Sequence, residues 1–67
     1  GIIDVHFEVK RVEALQLYAA IKQAEQDAGN KVPVVLHRKN NQPWLAIVPL
    51  DELPRLAVQL YQTLTED

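Results

Sequence analysis

The sequence predicts a small α/β domain, a mixed three-stranded sheet with two helices in the order β-α-β-β-α. Three observations predict it. Apolar and polar residues alternate strictly from Ile3 to Lys10. The pattern then switches to helical spacing between Val12 and Ala28. Two short apolar runs, Val-Pro-Val-Val-Leu and Pro-Trp-Leu-Ala-Ile-Val-Pro-Leu, follow across a polar turn, and a second helical stripe closes the chain.

The first element, residues 2 to 10, has the period of a half-buried strand, with Ile3, Val5, Phe7 and Val9 on one face and Asp4, His6, Glu8 and Lys10 on the other. From Val12 to Ala28, Ala14, Leu17, Ile21, Ala24 and Ala28 recur at three and four residues, widened by Leu15 and Tyr18. Gly29 and Asn30 stand where a left-handed cap ends a helix. Lys31 to His37 reads as a buried strand, with Pro33 near its start, where a missing N–H is tolerated. Arg38 to Gln42 is a turn, and Pro43 to Leu50 returns as a strand antiparallel to the second. Asp51 is expected to cap the last helix, in which Leu53, Leu56, Ala57, Leu60, Tyr61 and Leu64 form the stripe, with Pro54 in the first turn. A helix between the first two strands lets them lie parallel with a right-handed crossover. The sheet is expected to be thin, covered on one face, and open to completion by an upstream hairpin.

A chain of 67 residues forms a single domain, 1–67, of marginal stability. Its 48% hydrophobic and 24% charged content is that of a soluble globular protein. Without cysteine there are no disulfides, thiolate metal sites or thiol nucleophiles, and without serine there is no serine nucleophile. Any metal must sit on oxygen or imidazole. No signal or membrane-spanning pattern is present, and the chain reads as cytoplasmic, with no membrane partner. Gly1 at the start and the absence of methionine read as a piece of a longer protein. A net charge of −2 argues against general nucleic-acid binding, yet Arg38 and Lys39 beside His37 make a local basic edge.

Two acids, a histidine and a lysine on one strand face concentrate potential ligands. Glu8 offers carboxylate oxygen to a hard divalent cation. Lys10 projects from the same face about 6 to 7 Å away at roughly 3.3 Å per residue, a spacing that suits orienting water or stabilising a charged phosphorane. On its own Glu-x-Lys is a weak signal, since it occurs by chance throughout proteins and cross-strand charge pairing explains it.

The wider run of residues is more specific. His6-Phe7-Glu8-Val9-Lys10-Arg11, Gln23-Ala24-Glu25-Gln26-Asp27-Ala28, and Val34-Val35-Leu36-His37-Arg38-Lys39-Asn40 with Pro43-Trp44-Leu45 span nearly the whole chain. Together they resemble the PD-(D/E)XK nuclease superfamily, in particular the short phage and prophage Holliday-junction-resolvase-like endonucleases. The resemblance implies part of a restriction-endonuclease-like core, the C-terminal part, and a metal-dependent DNA endonuclease acting on branched DNA. It implies Mg²⁺ or Mn²⁺ as cofactor, Glu8 and Lys10 as catalytic residues with Gln23 assisting, and the Val9 carbonyl as a further metal ligand beside Glu8. It also implies an upstream metal-binding Asp, for which the chain has no room. Asp4 lies about 13 Å from Glu8 along the same strand, too far to share one ion with it.

His6, Arg11, His37, Arg38 and Lys39 are the candidate DNA contacts, weighed against a partly exposed structural histidine and a charged hairpin turn. Gln23 is weighed against a solvated helix position. Trp44 is expected in the core beside Leu36 and Ile47 rather than stacked on a base, and Tyr18 and Tyr61 as packing residues. Homodimerisation, or a second chain completing the core, is the expected assembly. The alternative function is a noncatalytic interaction or dimerisation module. A carboxylate from outside this segment within about 5 Å of Glu8 distinguishes the enzyme from the module.

Overall fold

A computed structural model describes residues 4–65, and the expectation for Ile3 lies outside them. The chain folds into a three-stranded mixed sheet with two helices in the order β-α-β-β-α, as the patterning predicts. Strand β1 spans Val5–Lys10, helix α1 Leu17–Ala28, strand β2 Val32–His37, strand β3 Leu45–Ile47, and helix α2 Leu53–Thr65, which follows a single 3₁₀ turn at Leu50–Glu52. The sheet order is β1-β2-β3, with β1 parallel to β2 and β2 antiparallel to β3.

Three boundaries differ from expectation. Helix α1 begins at Leu17 instead of Val12, its first backbone bond running from Ala20 N–H to the Gln16 carbonyl. The carbonyl of Val12 is engaged instead by His37, 2.8 Å away, which holds residues 12–16 as a loop against the end of β2. Strand β3 is shorter than Pro43 to Leu50, because Pro43 and Pro49 have no N–H to give a ladder and pairing is confined to Leu45, Ala46 and Ile47. Asp51 lies inside the 3₁₀ turn, with Pro49 at its leading edge, so Asp51 does not cap α2.

Gly29 ends α1 at φ 61°, a backbone conformation that L side chains rarely adopt. Pro33 is tolerated in the central strand for a specific reason. The N–H groups of Val32 and Arg38 bond to the carbonyls of Asp4 and Lys10, so even-numbered residues of β2 face β1 and odd-numbered ones face β3. Strand β3 pairs only with Val35, Leu36 and His37, so Pro33 faces a side on which no ladder bond is required.

The helices lie on opposite faces, instead of leaving one face bare. On one face Ala20 and Ala24 of α1 close on Val35, with Leu15, Ile21 and Ile47 around them. On the other Val5, Val32 and Val34 form a cluster that Leu36, Val48 and Leu56 of α2 cover. The faces of β1 divide as the alternation predicts, but their burial does not follow polarity. Val5 is buried, whereas Phe7 and Val9 are 45% and 58% exposed. His6, Glu8 and Lys10 are half-buried, because α1 crosses their face. Tyr18 and Tyr61 are not packing residues: at 87% and 68% exposed they lie on the outer sides of their helices, since a three-stranded sheet is too narrow to cover both stripes.

Candidate metal centre

The polar face of β1 and the side of α1 that faces it meet over the outer strand of the sheet. His6 and Glu8 point up from β1, and Asp27 comes down from the last turn of α1. One ligand atom from each lies within 4.8 Å of the others. His6 Nε2 is 2.8 Å from Glu8 Oε1, and in the Nε2–H tautomer it donates there. The hydrogen bond from His6 holds the Glu8 carboxyl below the ordinary carboxylate range, with a further contribution from Asp27. The same contact acts oppositely on Asp27, whose pKa is raised first by its hydrogen bond with Glu8 and then by desolvation. Two carboxylates facing each other share a proton more readily than they carry two charges. A divalent cation satisfies the same electrostatic demand.

Asp27 is the residue that strand-by-strand reading missed. It was legible as the residue four after Gln23, and so on the same helical face. The second carboxylate near Glu8 thus comes from within the chain. Asp4 stands apart at the start of β1, accepting a 3.3 Å hydrogen bond from Gln59.

Lys10 and Gln23 are brought together as well. Lys10 Nζ donates to Gln23 Oε1 at 3.2 Å, one helical turn from Asp27 on α1. Among the described residues no carboxylate forms an ion pair with Lys10, so its charge is not consumed by cross-strand pairing. A groove lined by Lys10, Val12, Leu15, Gln16, Ala19, Ala20 and Gln23 opens beside it. Val9 turns its side chain to the opposite face. By strand alternation its carbonyl points to the outer edge of the sheet, because Asp4 and Lys10 direct theirs to β2.

The other candidates gather at the C-terminal end of β1 and β2. The Arg11 guanidinium sits 5.9 Å from the centre of the Trp44 ring. Trp44 is 47% exposed and is not the core anchor expected, since it precedes the short β3 and lies under Arg11 at the sheet's end. Arg38 Nε donates to the Gln42 carbonyl at 3.0 Å, fixing the turn. His37, Arg38 and Lys39 line a cavity of about 110 Å³ with Gln42, Pro43 and Leu45. Glu13 accepts from the Asn40 N–H at 2.7 Å, closing that turn against the loop before α1.

The donor set of one imidazole and two carboxylates fits a divalent ion that takes mixed nitrogen and oxygen ligands. Mg²⁺ generally prefers all-oxygen octahedral coordination, whereas Mn²⁺ accepts mixed nitrogen and oxygen donors. Among the described residues no helix is long and apolar enough to cross a membrane. No family model, curated protein or solved structure matches the chain.

Proposed function

We propose that this chain is the C-terminal part of the core of a metal-dependent DNA endonuclease, in keeping with its resemblance to the PD-(D/E)XK nucleases. The observation that carries this reading is the convergence of His6, Glu8 and Asp27 within 4.8 Å, with Lys10 two residues along the same strand face. Glu8 and Asp27 would hold the ion, with His6 either ligating it or orienting Glu8. When bound, the ion supplies polarisation of a phosphate oxygen and acidification of water. Lys10, tethered by Gln23 and free of carboxylate partners, places a positive charge where negative charge develops on the phosphate during hydrolysis. Arg11, Arg38 and Lys39 contribute attraction for the DNA backbone at the end of the sheet, and His37 fixes that end structurally through Val12.

A second reading, a noncatalytic module that binds protein through its sheet, is favoured by the exposure of Phe7 and Val9 on the outer strand.

One experiment separates the two. Mn²⁺ and Mg²⁺ are titrated into the chain while cleavage of a four-way junction and of a linear duplex is followed, with Lys10→Ala alongside. The nuclease reading predicts metal-dependent cutting, stronger with Mn²⁺, that falls by about 10²-fold or more in the variant, the usual loss when a transition-state charge donor is removed. Metal binding without cutting selects the module, and neither binding nor cutting overturns the metal centre itself.

A further inference from the structure

Trp44 is the one tryptophan of the chain, and it stands half exposed before β3, outside both apolar clusters. Its position is set by the backbone. Asn41 lies in the left-handed region at φ 62°, which asparagine tolerates better than most side chains. The Gln42 N–H bonds to the Lys39 carbonyl at 3.2 Å, and Arg38 Nε donates to the Gln42 carbonyl at 3.0 Å. Pro43 then fixes φ immediately before Trp44. The ring is held out on a braced turn, and a surface already ordered in this way loses little conformational entropy when something binds to it.

The groups around the ring are cationic. Leu45 pairs with His37, so Trp44 and Arg38 are the next residues out on neighbouring strands, and Lys39 follows Arg38. Pro43 and Leu45, on either side of Trp44, line a cavity with His37, Arg38 and Lys39. The Arg11 guanidinium lies over the ring, 5.9 Å from its centre. Direct stacking would bring the two within about 3.5 to 4 Å, and a flat group held between them needs about 7 Å. A retreat of about 1 Å by the flexible arginine side chain therefore opens a slot for one aromatic plane. A flat group with an anionic tail suits a slot of this shape beside two further cations, and a nucleotide is such a group. In a duplex the bases show only their edges to the grooves, whereas an unpaired base offers its face to an aromatic side chain.

We propose that Trp44 and Arg11 form a stacking slot for one unpaired base, with Arg38 and Lys39 on the flanking phosphates, so that the DNA this chain meets carries a single-stranded segment. This deepens the endonuclease reading and rests on its assignment of the cationic end of the sheet to DNA. The slot separates DNA with a gap, flap or overhang from DNA that is paired throughout. Arginine suits the outer wall, because its plane stacks while the N–H groups at its rim stay available to phosphate. Trp44 supplies the inner wall, and its stacking tolerates any base.

The test uses the parent chain in chelator, so that neither metal nor cleavage plays a part. Trp44 is the sole tryptophan, and its fluorescence reports on the slot directly. A short oligo(dT), an abasic strand of the same length and a blunt duplex are titrated, with binding followed in parallel by anisotropy of a label on the DNA. Oligo(dT) should quench Trp44 over the same concentrations at which it binds, while the abasic strand and the duplex should bind through charge without quenching. Trp44→Leu, with an unchanged circular dichroism spectrum, should weaken oligo(dT) binding by roughly tenfold and leave the abasic strand unaffected. Arg11→Lys keeps the charge and loses the plane, so it should also weaken oligo(dT) and spare the abasic strand. Oligo(dT) that binds without quenching, or an abasic strand that quenches equally, overturns the slot and leaves the cationic end as a DNA contact. Tighter quenching by oligo(rU) or by thymidine monophosphate overturns the assignment to a DNA strand. If no strand binds at all, the DNA reading of this end fails together with the slot.

Discussion

Glu8 and Asp27 respond to pH in opposite senses, and the difference gives the cluster a signature. The Glu8 carboxyl is held low by His6, so its contribution to stability is present above the ordinary glutamate pKa and is lost as pH falls through the lower folded value. Asp27 is held high by Glu8, so its contribution is present below the ordinary aspartate pKa and is lost as pH rises through the higher folded value. Above the folded-state value of Asp27, then, that contribution has gone and two carboxylates face each other. Asp27→Asn removes one of those charges and supplies an amide that can donate to Glu8. Without metal the variant should melt higher than the parent above the range where Asp27 is protonated, and the gap should close as pH falls into that range. Mn²⁺ should raise the melting temperature of the parent and leave Asp27→Asn unmoved, because ligand binding stabilises only a chain that can bind. Differential scanning calorimetry across pH, with and without Mn²⁺, reads both effects. A variant that melts lower and keeps the full Mn²⁺ shift removes Asp27 from the centre.

At the scale of the elements, the fold hangs on β2. Val32, Val34 and Val35 are its fully buried large side chains, and they anchor both layers, Val32 and Val34 toward α2 and Val35 toward α1. Val35→Ala deletes two methyl groups from a site closed by Ala20 and Ala24, at about 0.8 kcal/mol per methylene-sized group plus a cavity term, or roughly 2 kcal/mol. For a domain this small that corresponds to a fall of roughly 10 °C in melting temperature. Tyr18→Ala, on an exposed helical position, should stay within about 0.5 kcal/mol of the parent. Thermal melts of the two variants side by side check the contrast, and equal losses would mean that α1 packs on the sheet in some other way. The same elements show what one-dimensional patterning can and cannot reveal. The order of elements, the glycine stop at Gly29 and the assignment of His6, Glu8 and Lys10 to one face follow from local patterning, and the structure has them all. Which face of β1 is covered does not follow from it. That depends on where α1 and α2 cross a narrow sheet, so Phe7, Val9, Tyr18, Tyr61 and Trp44 are exposed against their hydrophobicity. Asp27 was hidden for a related reason. Its proximity to Glu8 is a contact between a strand and a helix 19 residues further along, and only the packing of α1 over the polar face brings them together.

For the whole molecule, the proposed nuclease reading requires a chain with net charge −2 to attract DNA. The answer lies in the separation of charge across the sheet. Asp27, Glu8 and His6 cluster at mid-length of the outer strand β1, while Lys10, Arg11, Arg38 and Lys39 sit at or beyond the C-terminal ends of β1 and β2. On that reading, the acids would repel phosphate until a divalent ion is bound among them, and the basic end would attract it throughout. Binding to duplex or junction DNA should therefore be weak in chelator and strengthen with Mn²⁺. Its salt dependence should reflect the basic end alone. If all four cations meet phosphates, the slope of log K against log salt is about −3 to −4, at roughly −0.9 per phosphate neutralised on duplex DNA. Replacing Arg38 and Lys39 together by glutamine should make the slope shallower by about 2, while Glu8→Gln in chelator should tighten binding with no change of slope, because it removes a repulsive charge without releasing counterions. Fluorescence anisotropy over a salt series measures both. An unaltered slope in the Arg38 and Lys39 variant would place the DNA path elsewhere, on the groove beside Lys10 instead of the end of the sheet.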